Sequence, residues 1–179
     1  GISLLSIIND ILNLTVIDSG HLKENKKVFS LHMLFEHCKS NFNISIKKSG
    51  KKIDLKYNIN EDIIDIINSD ETKLRQILNN LLNNAIKFTA HGLIEYGVSL
   101  KDAKTLEFYV MDTGKGILLK NPDVIFESFR QEEDGYSRKY GGTGLGLTIC
   151  KKLVELIGGK IHLETRTAKD DHGTTFYFT

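Results

Sequence analysis

Tryptophan is absent from this 179-residue chain, proline occurs once and cysteine only twice. Cys38 and Cys150 lie far apart, with no Cys-x-x-Cys or Cys/His ligand spacing around them. That excludes a disulfide scaffold and a zinc knot, and it reads as two small core thiols in a reduced, cytosolic chain. An excess of one charge sign is missing too: 24 Lys and Arg stand against 23 Asp and Glu, a net charge of +1. With no basic stripe to neutralise a phosphate backbone, a dedicated nucleic-acid partner is not expected. Long apolar runs are also lacking. Asn9 and Asp10 break the most apolar early stretch well short of the roughly 18 residues of a membrane span, and no basic-then-apolar leader precedes it. What remains fits one soluble domain of roughly 150 residues plus a short extension, large enough to bury about 70% of its unfolded surface without a staple. The chain opens on Gly1 rather than Met, so further residues are expected upstream.

Hydrophobic periodicity supplies the elements. Residues 2–18 read as an amphipathic helix, because Leu4, Ile7, Ile11 and Leu14 repeat at bundle-seam spacing while Leu5, Ile8 and Leu12 widen the stripe. One isolated helix cannot bury that surface, so it packs on this chain or joins a bundle whose other helices lie elsewhere. A polar stretch follows. A second helix is expected over 31–46, with Leu31, Leu34, Phe35, Cys38, Phe42 and Ile46 on one side and Gly50 closing it. Alternation at Ile53, Leu55 and Tyr57 predicts a strand, and 63–67 a short second one. Asp70 is suited to cap a helix running to about Thr89. Strands are expected over 93–100 and 106–111, then a helical turn after Pro122, a last helix from about Gly144 to Gly158-Gly159, and strands over 160–165 and 174–178. The run 130–142 is polar and aperiodic, the pattern of a loop. Strands that follow one another directly imply an α+β fold, a two-layer sandwich with helices on one face of a mostly antiparallel sheet.

Three segments carry chemistry. On the 70–89 helix a wheel at 100° per residue puts Leu74, Ile77, Leu78, Leu81, Ala85 and Phe88 on one arc toward the sheet. Asn80, Asn84 and Lys87 fall together on its flank, whereas Asn79 and Asn83 point to the far side or outward. Carboxamide oxygens can ligate a hard cation such as Mg²⁺, and an ammonium offers a point charge to phosphate. Taken alone, such a flank is more often simply solvated. Asp112 ends an apolar strand with Gly114 and Gly116 behind it, where a carboxylate can accept a hydrogen bond from a purine amine and glycines let a flat ring approach. Taken alone, an ordinary Asx turn is the better explanation of the same residues. Gly141-Gly142-Thr143-Gly144-Leu145-Gly146-Leu147 runs straight into a helix and can gather main-chain N–H groups on an anion. Its spacing is neither that of a P-loop nor that of a dinucleotide-binding turn.

In chain order, Asn-x-x-x-Asn-Ala-x-Lys-Phe-Thr from Asn80, Asp-x-Gly-x-Gly-Ile from Asp112, Phe126 with Phe129, and Gly-Gly-Thr-Gly-Leu-Gly-Leu from Gly141 resemble the N, G1, F and G2 boxes of sensor histidine kinases, within the GHKL superfamily of ATP-binding domains. The resemblance covers nearly the whole chain. It implies ATP and Mg²⁺ as ligands, with Asn84 and Asn80 on the metal, Lys87 on phosphate and Asp112 on the adenine amino group. Gly114, Gly116 and Ile117 would line the nucleotide and Phe88 would flank it. Gly142, Thr143, Gly144, Leu145 and Gly146 would form the phosphate loop, with a lid over 115–142. A Thr of the 173–176 segment, assigned to Thr175, would stand near Asp112. Gln131 occupies a place where many relatives carry a phosphate-facing Arg, for which Arg130, Arg138 or Lys139 would substitute.

Residues 1–20 resemble the second helix of the family's dimerisation and phosphoacceptor bundle, leaving 21–179 as the ATP-binding domain. None of the six histidines sits in a His-acidic pair on an apolar helix, so the phosphoaccepting His is expected outside this sequence. The implied partners are the protein's own bundle in a homodimer and a response-regulator receiver domain, in a parent whose kinase region is cytoplasmic, whether or not it is membrane-anchored. ATPases of the superfamily, such as the gyrase B subunit, carry a Glu four residues before the metal-binding Asn. Here that position is Asn80, and an amide takes up no proton at neutral pH, which favours phosphotransfer over hydrolysis. The alternative is a nucleotide-binding regulatory or interaction module without transfer.

Overall fold

A computed structural model describes residues 8, 11–12, 14–17, 19, 22–118, 122–127, 144–168 and 171–179. Helical residues at 11–12 and 14–17 come first; Leu14 and Ile17 pack toward the core while Ile8, Ile11, Leu12 and Val16 are exposed. The ordered elements are β1 (Lys27–Ser30), α1 (Leu31–Ser49), β2 (Lys52–Ile59), β3 (Ile66–Ser69), α2 (Glu71–Phe88), β4 (His91–Asp102) and β5 (Thr105–Asp112). A 3-10 turn (Pro122–Phe126), α3 (Gly146–Leu156), β6 (Ile161–Ala168) and β7 (Asp171–Phe178) complete the chain.

Five strands form one sheet in the order β2-β4-β5-β7-β6, in which only β2 and β4 run parallel. A parallel pair needs a long crossover, and β3 with α2 provides it. Along β4 and β5, Ile94, Tyr96 and Val98, then Phe108, Val110 and Asp112, alternate onto the buried face. On β7 the same face carries Thr174, Phe176 and Phe178. The three helices cover it with Leu34, Phe35, Leu78, Leu81, Ile149 and Leu153. The result is the expected two-layer α+β sandwich.

Local chemistry sets the helix limits. Ser30 caps α1 by accepting from Met33 N–H, and Gly50 ends it at φ 68° with its N–H on Lys47. Asp70 caps α2, accepting from Lys73 N–H at 3.1 Å. The two cysteines are free and buried, as expected.

Some expectations require correction. The stretch 21–30 holds a strand, β1, pairing antiparallel with β3 through Phe29 opposite Ile67. The apolar run 63–67 is not itself that partner: β3 starts at Ile66, and Ile64 stands 79% exposed. On α2, Leu82 rather than Phe88 completes the buried face; Leu82 is fully buried and Phe88 is 40% exposed. Asn79 is half-buried against α1, its Oδ1 4.0 Å from Cys38 Sγ, not on the outside.

Candidate functional site

The C-terminal half of α2, the loop after β5 and the start of α3 come together on the helical side of the sheet. Asn80 donates its amide to the Gly146 carbonyl at 3.5 Å, tying α2 to the first residue of α3. At the end of α2, the Phe88 carbonyl lies against Gly114; a Cβ on that glycine would stand 2.7 Å from it. Gly114 therefore allows a close approach that any other residue would block. Asn84 is half-buried, one turn before this contact, and Asn83 is exposed, as the wheel predicted.

Asp112 closes β5 at 5% exposure. Its Oδ1 accepts from Gly114 N–H at 2.8 Å. Burial pushes its carboxyl up to about 6, and the Gly114 and Thr174 N–H groups, Arg166 and His172 only partly offset that. Gly116 has φ 72° and abuts the Arg166 carbonyl, while Ile117 N–H donates to Thr165 Oγ1 at 2.7 Å. The loop is thus stitched to the β6–β7 hairpin. His172 Nδ1 stands 2.6 Å from the Gly114 carbonyl, which can only accept, so that nitrogen carries the proton.

Two ammonium groups approach the half-exposed Phe88 ring, Lys87 at 4.8 Å from α2 and Lys115 at 5.7 Å from the glycine loop. Burial lowers the pKa of Lys87. Gly144 sits at φ 70°, and no atom lies within 4 Å of where a Cβ on Gly146 would be. Leu145, by contrast, is 1% exposed, so its side chain seats the start of α3 in the core. Gly142, Thr143, Phe129, Gln131, Arg130, Arg138 and Lys139 lie outside the described residues. Phe126 is buried edge-on to Phe176, with ring centroids 6.2 Å apart.

The strand register corrects the threonine assignment. Thr174 pairs with Asp112 and Thr175 with Met111, and directly opposed residues share a face. Thr174 therefore stands beside Asp112. Thr175 lines a shallow depression of about 220 Å³ on the opposite face, with Tyr109, Met111, Glu164, Arg166 and Tyr177. Two consecutive threonines carry no mark of which one faces inward, so only register decides.

The family model for the histidine kinase-, DNA gyrase B- and HSP90-like ATPase matches residues 69–179, the span that holds α2, the loop after β5 and α3. The chain belongs to this family. Among its relatives, the sensory/regulatory protein RpfC of Xanthomonas campestris is 35% identical over 98% of this chain and 24% of its own length. The signal transduction histidine-protein kinase BarA of Escherichia coli is 36% identical over 98% of this chain and 19% of its own. The chain thus spans about a quarter or less of these curated relatives. Full-length ShkA, solved in complex with AMPPNP, superposes with a TM-score of 0.82 at 29% identity, covering 98% of this chain and 35% of that one. The nucleotide-free catalytic domain of histidine kinase ThkA gives 0.69 at 30% identity over 86% of this chain and 93% of that domain. This chain is accordingly an ATP-binding catalytic domain of the sensor histidine kinase type.

Proposed function

We propose that this domain binds ATP with Mg²⁺ between α2, the Asp112 loop and the start of α3, and passes the γ-phosphoryl group to a histidine on a helical bundle of its own protein. The observation that carries the reading is the convergence of Asn80, at 3.5 Å from the Gly146 carbonyl, with Gly114, packed on the Phe88 carbonyl: three segments distant in sequence frame one cleft. Asp112 accepts from the adenine amino group and Thr174 stands beside it, with Gly114, Gly116 and Ile117 along the base. Lys87 faces the phosphates. Gly144 and Gly146 free the backbone around them.

Among the described residues no three His, Cys, Asp or Glu gather to hold a metal. A hard cation here would take carboxamide oxygens of Asn84 and Asn80 together with phosphate oxygens, a donor set that suits Mg²⁺. When bound, it supplies charge neutralisation on the phosphates. The protein's own part is to position and to neutralise charge. No carboxylate occupies position 80 to activate water, which supports transfer over hydrolysis. Exposed Ile8, Ile11, Leu12 and Val16 support the reading of residues 1–20 as part of a dimerisation bundle, with a receiver domain as the next acceptor.

The test mixes this chain with radiolabelled Mg-ATP and a separately made upstream helical segment carrying a His-acidic pair. Acid-labile, base-stable label on that segment is expected. Nucleotide binding without label would leave a binding module and overturn the kinase reading.

A further inference from the structure

The end of α2 is held in an unusual way. A helix leaves its last four carbonyls without partners, and most often a left-handed glycine turns the chain back to cover them. Here Thr89 is extended at φ −98°, ψ 121°, and the chain runs on into β4. Thr89 N–H takes only the Ala85 carbonyl, at 3.0 Å. Lys51, from the turn before β2, takes up most of the rest. Its ammonium lies 2.5 Å from the Ile86 carbonyl, 3.1 Å from that of Lys87 and 2.9 Å from that of Thr89. An ammonium has three hydrogens, and each finds a main-chain oxygen at the negative end of the helix dipole. The Phe88 carbonyl, the remaining one, is the group against Gly114.

We infer that Lys51 is a positioning residue of the nucleotide site, clamping the last turn of α2 so that Lys87 and Phe88 face the Asp112 loop. Resting on the site proposed above, it follows from which atoms Lys51 holds: one is the main-chain oxygen of Lys87 itself. Released from Lys51, the turn keeps its helical hydrogen bonds, Thr89 N–H on Ala85 and the glycine contact, but loses the cation that joins its last carbonyls to the turn before β2. A shift of about an ångström at a group facing phosphate is enough to weaken binding substantially.

The experiment is calorimetric titration of Mg-ADP into the chain as wild type, K51M, K51R, K87A and K51M/K87A, each checked for folding by circular dichroism. K51M keeps the unbranched apolar stem up to the place of the ammonium and removes every donor. It is expected to weaken binding about tenfold, K51R to restore most of the loss, and K51M to cost less than about twofold once Lys87 is already gone. An ordinary helix cap would lower stability without this coupling. Unchanged affinity in K51M, or losses at positions 51 and 87 that multiply independently, would overturn the assignment. Absence of binding in the wild type would instead defeat the underlying site. Should K51M not fold, K51Q, which removes the charge and reaches one atom less far, is expected to give a smaller loss that likewise nearly vanishes once Lys87 is gone.

Discussion

Asp70 and Asp112 are the same residue type and both are nearly closed to solvent, 2% and 5% exposed, yet Asp112 lies deeper and the fold treats them in opposite ways. Asp70 opens α2. Burial acts to raise its pKa but is outweighed by a hydrogen-bonded ion pair with Lys73 and by the N–H groups of Asn25 and Lys73, so the net shift is downward. At Asp112 the N–H groups of Gly114, at 2.8 Å, and Thr174, together with Arg166 and His172, do not offset burial, and its carboxyl ends at about 6. A buried acid that the protein itself satisfies is part of the scaffold. One whose burial outweighs its partners costs stability and fits the ligand role proposed for it above.

That contrast can be broken from either side. The largest effect is expected from D70N, which leaves Lys73 buried without its counter-charge; urea denaturation at neutral pH is expected to show a loss of about 3–5 kcal/mol. D112N should go the other way. A carboxyl raised from 3.8 to about 6 disfavours the folded state on the order of 3 kcal/mol at neutral pH, so the amide is expected to raise the melting temperature. The same variant is expected to lose about 2 kcal/mol of ADP affinity, roughly thirtyfold, because a charge-assisted bond to the adenine amine becomes a neutral one. A D112N protein both less stable and unchanged in binding would contradict the comparison.

N84A tests whether the cation sits on the Asp112 side of α2. The enhancement of ADP binding by Mg²⁺ is expected to fall at least the roughly tenfold that even outer-shell partners contribute. Acid separates the two aspartates further. Stability contributed by Asp70 is present above the unfolded value of 3.8 and is lost below it. The cost of ionised Asp112 grows as pH rises from 3.8 through about 6, and wild-type ADP affinity is expected to weaken below about 6 while D112N stays flat. The smallest effect sharpens the register: T174V is expected to weaken ADP binding about threefold, the loss of one neutral hydrogen bond, and T175V not at all.

Much of this was legible in the residues. Most of the buried face of α2 followed from its 3.6-residue period, and Asp70 and Gly50 mark helix ends by chemistry that involves only neighbours. The three asparagine- and glycine-bearing boxes marked the segments that the fold brings together. Errors fell where the answer lay far along the chain. The strand β1 has one inward apolar residue, Phe29, and becomes a strand only because Ile67 arrives opposite it. Phe88 looked like core because the period continued, but the helix ends there and the ring swings clear of the layer.

Periodicity, capping and motif order are properties of residues a few positions apart, so the sequence by itself settled the α+β class, the helices and most of the strands in order. Partners and faces were decided only by folding. Lys51 reaches carbonyls some 35 to 38 positions away, Thr174 is chosen over Thr175 by the β5–β7 register, and His172 meets Gly114 across 58 residues. What sets Asp112 apart from Asp70 is which groups folding brings beside each, Lys73 with two N–H groups in one case and two N–H groups with Arg166 and His172 in the other, and that is a fact about neighbours in space.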